Sequence, residues 1–195
     1  MKENMTKKIL GIDPGSRSTG VAILVEQNGT YATELCDVLR METMDNHNDR
    51  LQFIFDEITK LIKKHQPTQC AVETPVYGVD PLAMLKLGRA QAAAILAMTN
   101  QSLQVTEYYP KAVKKAITGN GNASKEQVAF MLERMITLPE EKLSNDATDA
   151  LAVAWCHHIK SGPISAAGGK KQMHQNNRKS SWAAFIQDNP GRVKK

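Results

Sequence analysis

The sequence predicts an α/β fold built on a mixed five-stranded sheet with helices on both faces. Two apolar segments near the N-terminus are joined by Asn28-Gly29, a favoured hairpin turn, which indicates antiparallel strands. Further along the chain, short apolar segments alternate with helical patterns, which is typical of parallel strands. With 195 residues, the chain is long enough for one domain with a sizeable core and a tail.

Local patterns predict each element in turn. Apolar residues at helical spacing, among them Leu51, Ile54 and Ile58, predict the first helix, which Pro67 ends. A later segment rich in Ala, Leu and Met predicts a long second helix. The predicted strands are residues 8–13, 20–26, 31–38, 69–73 and 104–107, and the predicted helices are residues 49–65, 81–98, 110–117, 124–135 and 145–159.

The composition changes at residue 163, so we predict a domain over residues 1–162 and a basic tail over 163–195. The tail has seven Lys and Arg residues against one Asp, and it therefore accounts for the net charge of +5. Its Ser, Gly, Asn, Gln and Lys predict disorder as far as a short aromatic motif at Trp182 and Phe185. This motif could pack on the chain's own domain, bind a partner or tether DNA.

The cysteines and the N-terminus indicate a cytoplasmic protein. The three cysteines, Cys36, Cys70 and Cys156, are odd in number and widely spaced, which suits neither a disulfide framework nor a zinc site. The apolar run after the N-terminal lysines ends at Asp13-Pro14, which is too soon for a signal peptide or a membrane span.

Four acidic residues are the candidate catalytic and metal-binding groups. Asp13 and Glu73 each end a short apolar strand, where an unpaired carboxylate is costly. Asp146 and Asp149 are three residues apart, so both lie on one face of the last helix. If the four carboxylates converge, they cannot all stay ionised without divalent cations, because like charges raise one another's pKa.

Each acid also has an ordinary structural interpretation. Asp146 could stabilise the first turn of its helix, and Asp13 could form a turn before Pro14-Gly15. Glu73 could be a simple strand-end charge. Asp149 is harder to explain in this way, because it lies one turn deeper in a helix of Ala, Leu and Val.

In order and spacing, several segments resemble the RuvC family of Holliday junction resolvases, crossover junction endodeoxyribonucleases with a ribonuclease H-like fold. The resemblance extends over about residues 8–160. The matching segments are Gly11-Ile12-Asp13-Pro14-Gly15-Ser16 with Thr19-Gly20, Ala71-Val72-Glu73, Leu85-Lys86-Leu87-Gly88, Val113-Lys114, Ser124-Lys125 with Gln127-Val128, and Asp146-Ala147 with Asp149-Ala150-Leu151-Ala152.

The resemblance implies metal-dependent cleavage of four-way DNA junctions during recombination and repair. Two Mg²⁺ ions per site are expected, held by Asp13, Glu73, Asp146 and Asp149, and Mn²⁺ could substitute. The products would be paired symmetric nicks with 5′-phosphate and 3′-hydroxyl ends. The resemblance also implies a homodimer, built partly on the helix over residues 81–98, and the RuvA–RuvB branch-migration machinery as a candidate partner.

The candidate DNA-binding residues are lysines and one tyrosine. Lys114 and Lys125 match family positions near the active site, and Lys111 and Lys115 flank Lys114. An ordinary solvated helix face explains these lysines equally well. Related enzymes usually have an aromatic residue at the position of Val76, and Tyr77 could replace it by stacking on an unpaired base.

Three other functions compete with junction resolution. A Gly-Ile-Asp-x-Gly segment also occurs in actin-like kinases and chaperone ATPases, but these need two such domains. A nuclease of ribosomal RNA precursors has the same superfold, although the Asp-x-x-Asp pair favours the resolvase. A non-catalytic junction-binding protein would have no use for four clustered acids beside a phosphate.

Overall fold

A computed structural model describes residues 6–76, 78, 80–139 and 143–162 of the chain. The predictions for Tyr77 and for the tail over residues 163–195 therefore lie outside the described residues. Within them, the strands are β1 (Lys7–Asp13), β2 (Ser18–Gln27), β3 (Thr30–Arg40), β4 (Gln69–Glu73) and β5 (Val105–Tyr108), and the helices are α1 (His47–His65), α2 (Pro81–Asn100), α3 (Pro110–Thr118), α4 (Lys125–Met135) and α5 (Asn145–Ser161).

The strands form one mixed sheet in the order β3-β2-β1-β4-β5. β1 pairs antiparallel with β2, and β2 pairs antiparallel with β3 through the turn at Asn28-Gly29. β1 and β4, and then β4 and β5, pair in parallel. The predicted mixed five-stranded sheet is thus confirmed, with its antiparallel part at one edge and its parallel part at the other.

Helices cover both faces of the sheet, as predicted. Successive residues of a strand point to opposite faces, so β1 contributes Ile9 to one core and Leu10 and Ile12 to the other. The first core contains residues of α3, α4 and α5, and the second contains residues of α1 and α2. Among the described residues, no helix is both long enough and apolar enough to cross a membrane.

Several elements differ from the prediction by one or two residues at their ends. α1 begins at His47 rather than at residue 49, because the Asn46 side chain caps the helix by accepting a hydrogen bond from the backbone N–H of Asn48. β2 and β3 are longer than predicted, because their pairing continues as far as Ser18 and Arg40. Apolar periodicity marks the buried middle of a hairpin better than its polar ends.

α5 packs directly against β1 and β2, because glycines in the two strands leave room for its backbone. A Cβ atom on Gly11 would lie 2.2 Å from the carbonyl oxygen of Ala150, and one on Gly20 would lie 1.9 Å from that of Asp146. Real Cβ atoms do not approach backbone so closely. Both strand positions therefore require glycine as long as α5 keeps this position.

We predict that Gly20→Ala destabilises the protein by about 1–3 kcal/mol, because the new methyl group must push α5 away from the sheet. The matched control is Gly88→Ala in α2, where a Cβ would meet no atom within 4 Å. An alanine in an exposed helix position should stabilise the protein by up to about 1 kcal/mol. Urea unfolding midpoints measure both effects. A Gly20→Ala variant as stable as the wild type would contradict the packing described for α5.

Candidate active site

Asp13 and Glu73 lie next to each other at one edge of the sheet. They are the last residues of β1 and β4, which are neighbouring parallel strands in which Ile12 is opposite Val72. By strand alternation, both side chains point to the face covered by α5, the same face as Gly11 and Ala71. Both residues are half-buried. The sheet register therefore places two carboxylates side by side beneath the helix.

The first turns of α5 add the two other acids. Ser144 caps the helix by accepting a hydrogen bond from the backbone N–H of Ala147, so Asp146 and Asp149 lie in its first two turns. The backbone of Asp146 lies over Gly20, which is the cross-strand partner of Asp13. The Ser18 hydroxyl donates a hydrogen bond of 2.6 Å to the Asp146 carboxylate. The contact between α5 and β2 thus brings the helical acids to the edge that holds Asp13 and Glu73.

The carboxylates are close enough to influence one another's ionisation. Burial, followed by the charges of Asp149 and Asp146, raises the pKa of Asp13 from 3.8 to about 7. Burial, followed by the charges of Asp13 and Asp149, raises the pKa of Glu73 from 4.5 to about 8. Around neutral pH, the ionised form of both groups is therefore disfavoured in the protein, and added positive charge would favour it.

Two of the four predicted lysines lie close to the acids. The Lys125 ammonium group donates a hydrogen bond to the Asp149 carboxylate, and this bond raises the pKa of Lys125. The charge of Lys114 lowers the pKa of Glu73, as does that of Lys125. Lys111 and Lys115 are exposed on α3, and among the described residues neither pairs with an acidic side chain.

The chemistry of the four acids fits divalent cations, although their present arrangement is not that of a ligand cluster. Carboxylate oxygens are the donors that hard cations such as Mg²⁺ prefer. Within the described residues, however, no three His, Cys, Asp or Glu side chains are grouped closely enough to hold a metal ion. The Asp146 and Asp149 carboxylates instead accept hydrogen bonds from Ser18 and Lys125. A cation bound by Asp146 and Asp149 would compete with these two hydrogen bonds.

The sequence analysis missed two sets of hydrogen bonds near the site. The bond from Ser18 to Asp146 joins residues 128 positions apart, and no local pattern announces it. Glu107, the residue before the last one of β5, accepts hydrogen bonds from Gln91 at 2.8 Å and from Thr74, the residue after Glu73, at 3.3 Å. The bond between Thr74 and Glu107 holds the chain where it leaves β4. It could be foreseen only from the pairing of β4 with β5.

We predict that Asp13→Asn stabilises the protein in metal-free buffer as the pH rises. Between about pH 4 and pH 7 the folded wild type binds more protons than the unfolded chain, because the pKa of Asp13 is raised from 3.8 to about 7 in the folded state. The free energy of unfolding of the wild type therefore falls over this range, and asparagine removes the effect. We expect a gain of about 1–2 kcal/mol above neutral pH, reduced by solvent at the open edge of the site.

Urea unfolding in the presence of EDTA, at several pH values, measures this difference, and Asp45→Asn on the exposed loop before α1 is the matched control. Divalent cations should reduce the difference in unfolding free energy between the wild type and Asp13→Asn, because they favour the ionised form of Asp13. A stability difference between wild type and Asp13→Asn that does not change with pH would show that Asp13 is not held in an unfavourable environment.

Comparisons with known proteins agree with this architecture. The family model described as "Crossover junction endodeoxyribonuclease RuvC" matches residues 9–157. The curated protein of that name from Salinibacter ruber is 44% identical over 186 residues, which cover 95% of this chain and 98% of the relative. The one from Porphyromonas gingivalis is 43% identical over 189 residues, which cover 95% and 96%. Both alignments extend beyond residue 162 and therefore include part of the tail, which the predicted resemblance did not cover.

A solved structure is similar along most of the domain. It is described as Thermus thermophilus RuvC in complex with Holliday junction substrate, and it superimposes with a TM-score of 0.73 at 26% identity. The match covers 80% of this chain and 94% of that one. The strand-end acids, the sheet order and these similarities lead to one conclusion. This chain belongs to the RuvC family of crossover junction endodeoxyribonucleases.

Proposed function

We propose that this chain resolves Holliday junctions by metal-dependent hydrolysis at the edge of the sheet formed by the ends of β1 and β4. Its family makes it an endodeoxyribonuclease that acts on crossover junctions. The observation that supports the site most strongly is the meeting of Asp13, Glu73, Asp146 and Asp149 at one edge, beside Lys114 and Lys125. We infer that each junction receives paired symmetric nicks with 5′-phosphate and 3′-hydroxyl ends.

We assign the four acids to the binding of two divalent cations, Mg²⁺ with Mn²⁺ as a substitute. Such cations would activate the attacking water and stabilise the departing 3′-oxygen of a DNA phosphodiester. Asp13 and Glu73 supply fixed positions, because both end buried strands. Asp146 and Asp149 would bind the cations in place of their present hydrogen bonds from Ser18 and Lys125.

We assign the lysines to contacts with the phosphate groups of the DNA backbone. Lys125 is more than half exposed and already lies beside Asp149, so its ammonium group can bind a phosphate next to the acids. The charge of Lys114 lowers the pKa of Glu73, so Lys114 is also assigned to a phosphate near the acids. The exposed Lys111 and Lys115 would bind phosphates farther from the acids, on the same DNA arm of the junction. Tyr77 would stack on an unpaired base at the junction.

We propose a homodimer that uses the outer face of α2. Leu82, Leu85 and Leu96 are 68%, 51% and 59% exposed, and their spacing places them on one side of the helix. Exposed apolar residues grouped on one helix face are typical of a protein–protein interface. A two-fold dimer would present two equivalent sites to the two strands that must be cut.

For the two parts of the chain, we propose a nuclease domain over residues 1–162 and an accessory tail over residues 163–195. The tail's excess of Lys and Arg suits DNA tethering, and the short motif at Trp182 and Phe185 suits a partner such as the RuvA–RuvB machinery. A chain truncated after Gly162 should still cut junctions.

We expect the wild type, with Mg²⁺, to nick a mobile four-way DNA junction at paired symmetric positions that DNA ligase can reseal. Asp13→Asn should bind the same junction but cut it at least about 10³-fold more slowly, because a lost metal ligand removes several kcal/mol of transition-state stabilisation. Denaturing gels of end-labelled junctions measure the nicks, and Asp45→Asn is the matched control.

Linear duplex DNA and structured RNA are tested in parallel. Cleavage of the RNA in preference to the junction would instead support processing of ribosomal RNA precursors. Junction binding without nicks from the wild type would support a non-catalytic junction-binding protein.

We expect Leu85→Glu to convert the dimer into a monomer and to abolish paired nicking, because a buried charge at the interface is costly. Light scattering after size-exclusion chromatography measures the molar mass. Ile159→Glu is the matched control, since Ile159 is 50% exposed but lies at the end of α5. If both variants keep the mass of the wild type, the face of α2 is not the dimer interface.

A further inference from the structure

Three hydrogen-bonded side chains join β5, α2 and the residue that follows β4. The Glu107 carboxylate accepts hydrogen bonds from the Gln91 amide at 2.8 Å and from the Thr74 hydroxyl at 3.3 Å. The Gln91 amide also donates to the Thr74 hydroxyl oxygen, at 3.5 Å, so the three side chains form a closed triangle. We call these three residues the Glu107 network. Gln91 follows Leu82 by nine residues, which places it on the opposite side of α2 from the leucines proposed for the dimer.

The network lies on the face of the sheet that α1 and α2 cover. Side chains alternate along a strand, and Val72 belongs to the core formed with α1 and α2. Glu73 therefore points to the opposite face, which α5 covers, and Thr74 points again to the side of α2. The contact between Thr74 and Gln91 agrees with this alternation. The end of β4 thus presents Glu73 on one face and is held through the next residue on the other face.

Thr74 holds the chain at the point where it leaves the sheet. Its backbone N–H donates a hydrogen bond of 2.8 Å to the carbonyl oxygen of Tyr108, which extends the pairing of Glu73 with Tyr108 by one residue. The next residue, Pro75, has no N–H group, so it donates no further bond to β5. Thr74 is therefore attached to β5 twice, through its N–H and through its hydroxyl group on Glu107.

The network determines a local position more than the stability of the core. Glu107 is exposed, and Thr74 and Gln91 are only half-buried, so water competes for their hydrogen bonds. The Cα atom of Thr74, however, is only about 3.8 Å from that of Glu73. The hydrogen-bonded neighbours of a metal ligand orient it and set the affinity for the metal. A fixed Thr74 therefore fixes the place from which the Glu73 side chain extends.

We propose that Glu107 is a positioning residue that, through Thr74, holds the end of β4 so that the Glu73 carboxylate can bind a divalent cation. The inference rests on the proposed function, in which Glu73 is a ligand. Glu107 is not itself a ligand, because it lies on the other face of the sheet and its carboxylate binds Gln91 and Thr74. Both donors are neutral, so Glu107 acts as a hydrogen-bond acceptor. The amide oxygen of a glutamine can accept the same bonds.

The test compares Glu107→Ala and Glu107→Gln in the full chain. Mn²⁺ binding to the protein without DNA is followed by electron paramagnetic resonance, and the part of the binding that Asp13→Asn removes identifies the catalytic edge. We expect Glu107→Ala to weaken this binding about 10-fold, whereas Glu107→Gln binds nearly as the wild type does. The matched control is Asp56→Ala, since Asp56 accepts a hydrogen bond of 3.0 Å from the Gln52 amide within α1.

A double-mutant cycle tests the route through Thr74. Thr74→Val removes the hydroxyl group and keeps the size of the side chain, so it should weaken Mn²⁺ binding about as much as Glu107→Ala. The two changes together should cost no more than either alone, because residues that act through one contact are not additive. In nicking assays, the Mg²⁺ concentration for half-maximal rate should rise by the same factor, and saturating Mg²⁺ should restore the rate.

An Mn²⁺ affinity of Glu107→Ala equal to that of the wild type would overturn the proposal, even if the urea midpoint were lower, since the role would then be structural only. A Glu107→Gln variant as weak as Glu107→Ala would also overturn it, because the charge would then matter. Additive losses in the cycle would exclude the route through Thr74.

Nicking by the wild type is recorded in the same preparations. A wild type that binds Mn²⁺ and nicks junctions, beside an unaffected Glu107→Ala, rejects only the positioning role. A wild type that neither nicks junctions nor binds Mn²⁺ in a way that depends on Asp13 rejects the proposed function as well.

Discussion

The close packing of α5 on β1 and β2 is the contact on which the candidate site depends. Because Gly11 and Gly20 have no side chains, α5 can lie close to the two strands. Small residues such as Ala150 and Ala154 face these glycines from α5. The sheet alone places Asp13 beside Glu73, but it cannot supply the other two acids. The helix brings these acids only because its backbone lies directly over the strands, so one packing contact serves both the core and the site.

This packing has an electrostatic cost. Four carboxylates meet at a half-buried edge, and the pKa values of Asp13 and Glu73 rise to about 7 and about 8. Hydrogen bonds from Ser18 and Lys125 satisfy the two helical acids, whereas the two strand acids have no comparable donor within the described residues. Four neighbouring carboxylates at a half-buried edge do not contribute to the stability of the core. Their presence is understandable if the edge binds cations and a phosphate group.

Much of the fold follows from the sequence, because apolar periodicity, the Asn28-Gly29 turn and the prolines are local signals. The four acids could be recognised for a similar reason, since each occupies a distinctive place at a strand end or on one helix face. Other features depend on distant residues. The bond between Ser18 and Asp146 and the bond between Thr74 and Glu107 arise only when separate elements meet.

The central claim is that Asp13, Glu73, Asp146 and Asp149 together bind the divalent cations required for cleavage. Anomalous X-ray scattering from crystals of the protein soaked in Mn²⁺ tests it most directly. The account predicts manganese peaks between the strand acids and the α5 acids, with the Lys125 ammonium group displaced from Asp149. Full manganese occupancy at other carboxylates, with no peak at this edge and Lys125 still bound to Asp149, would contradict it.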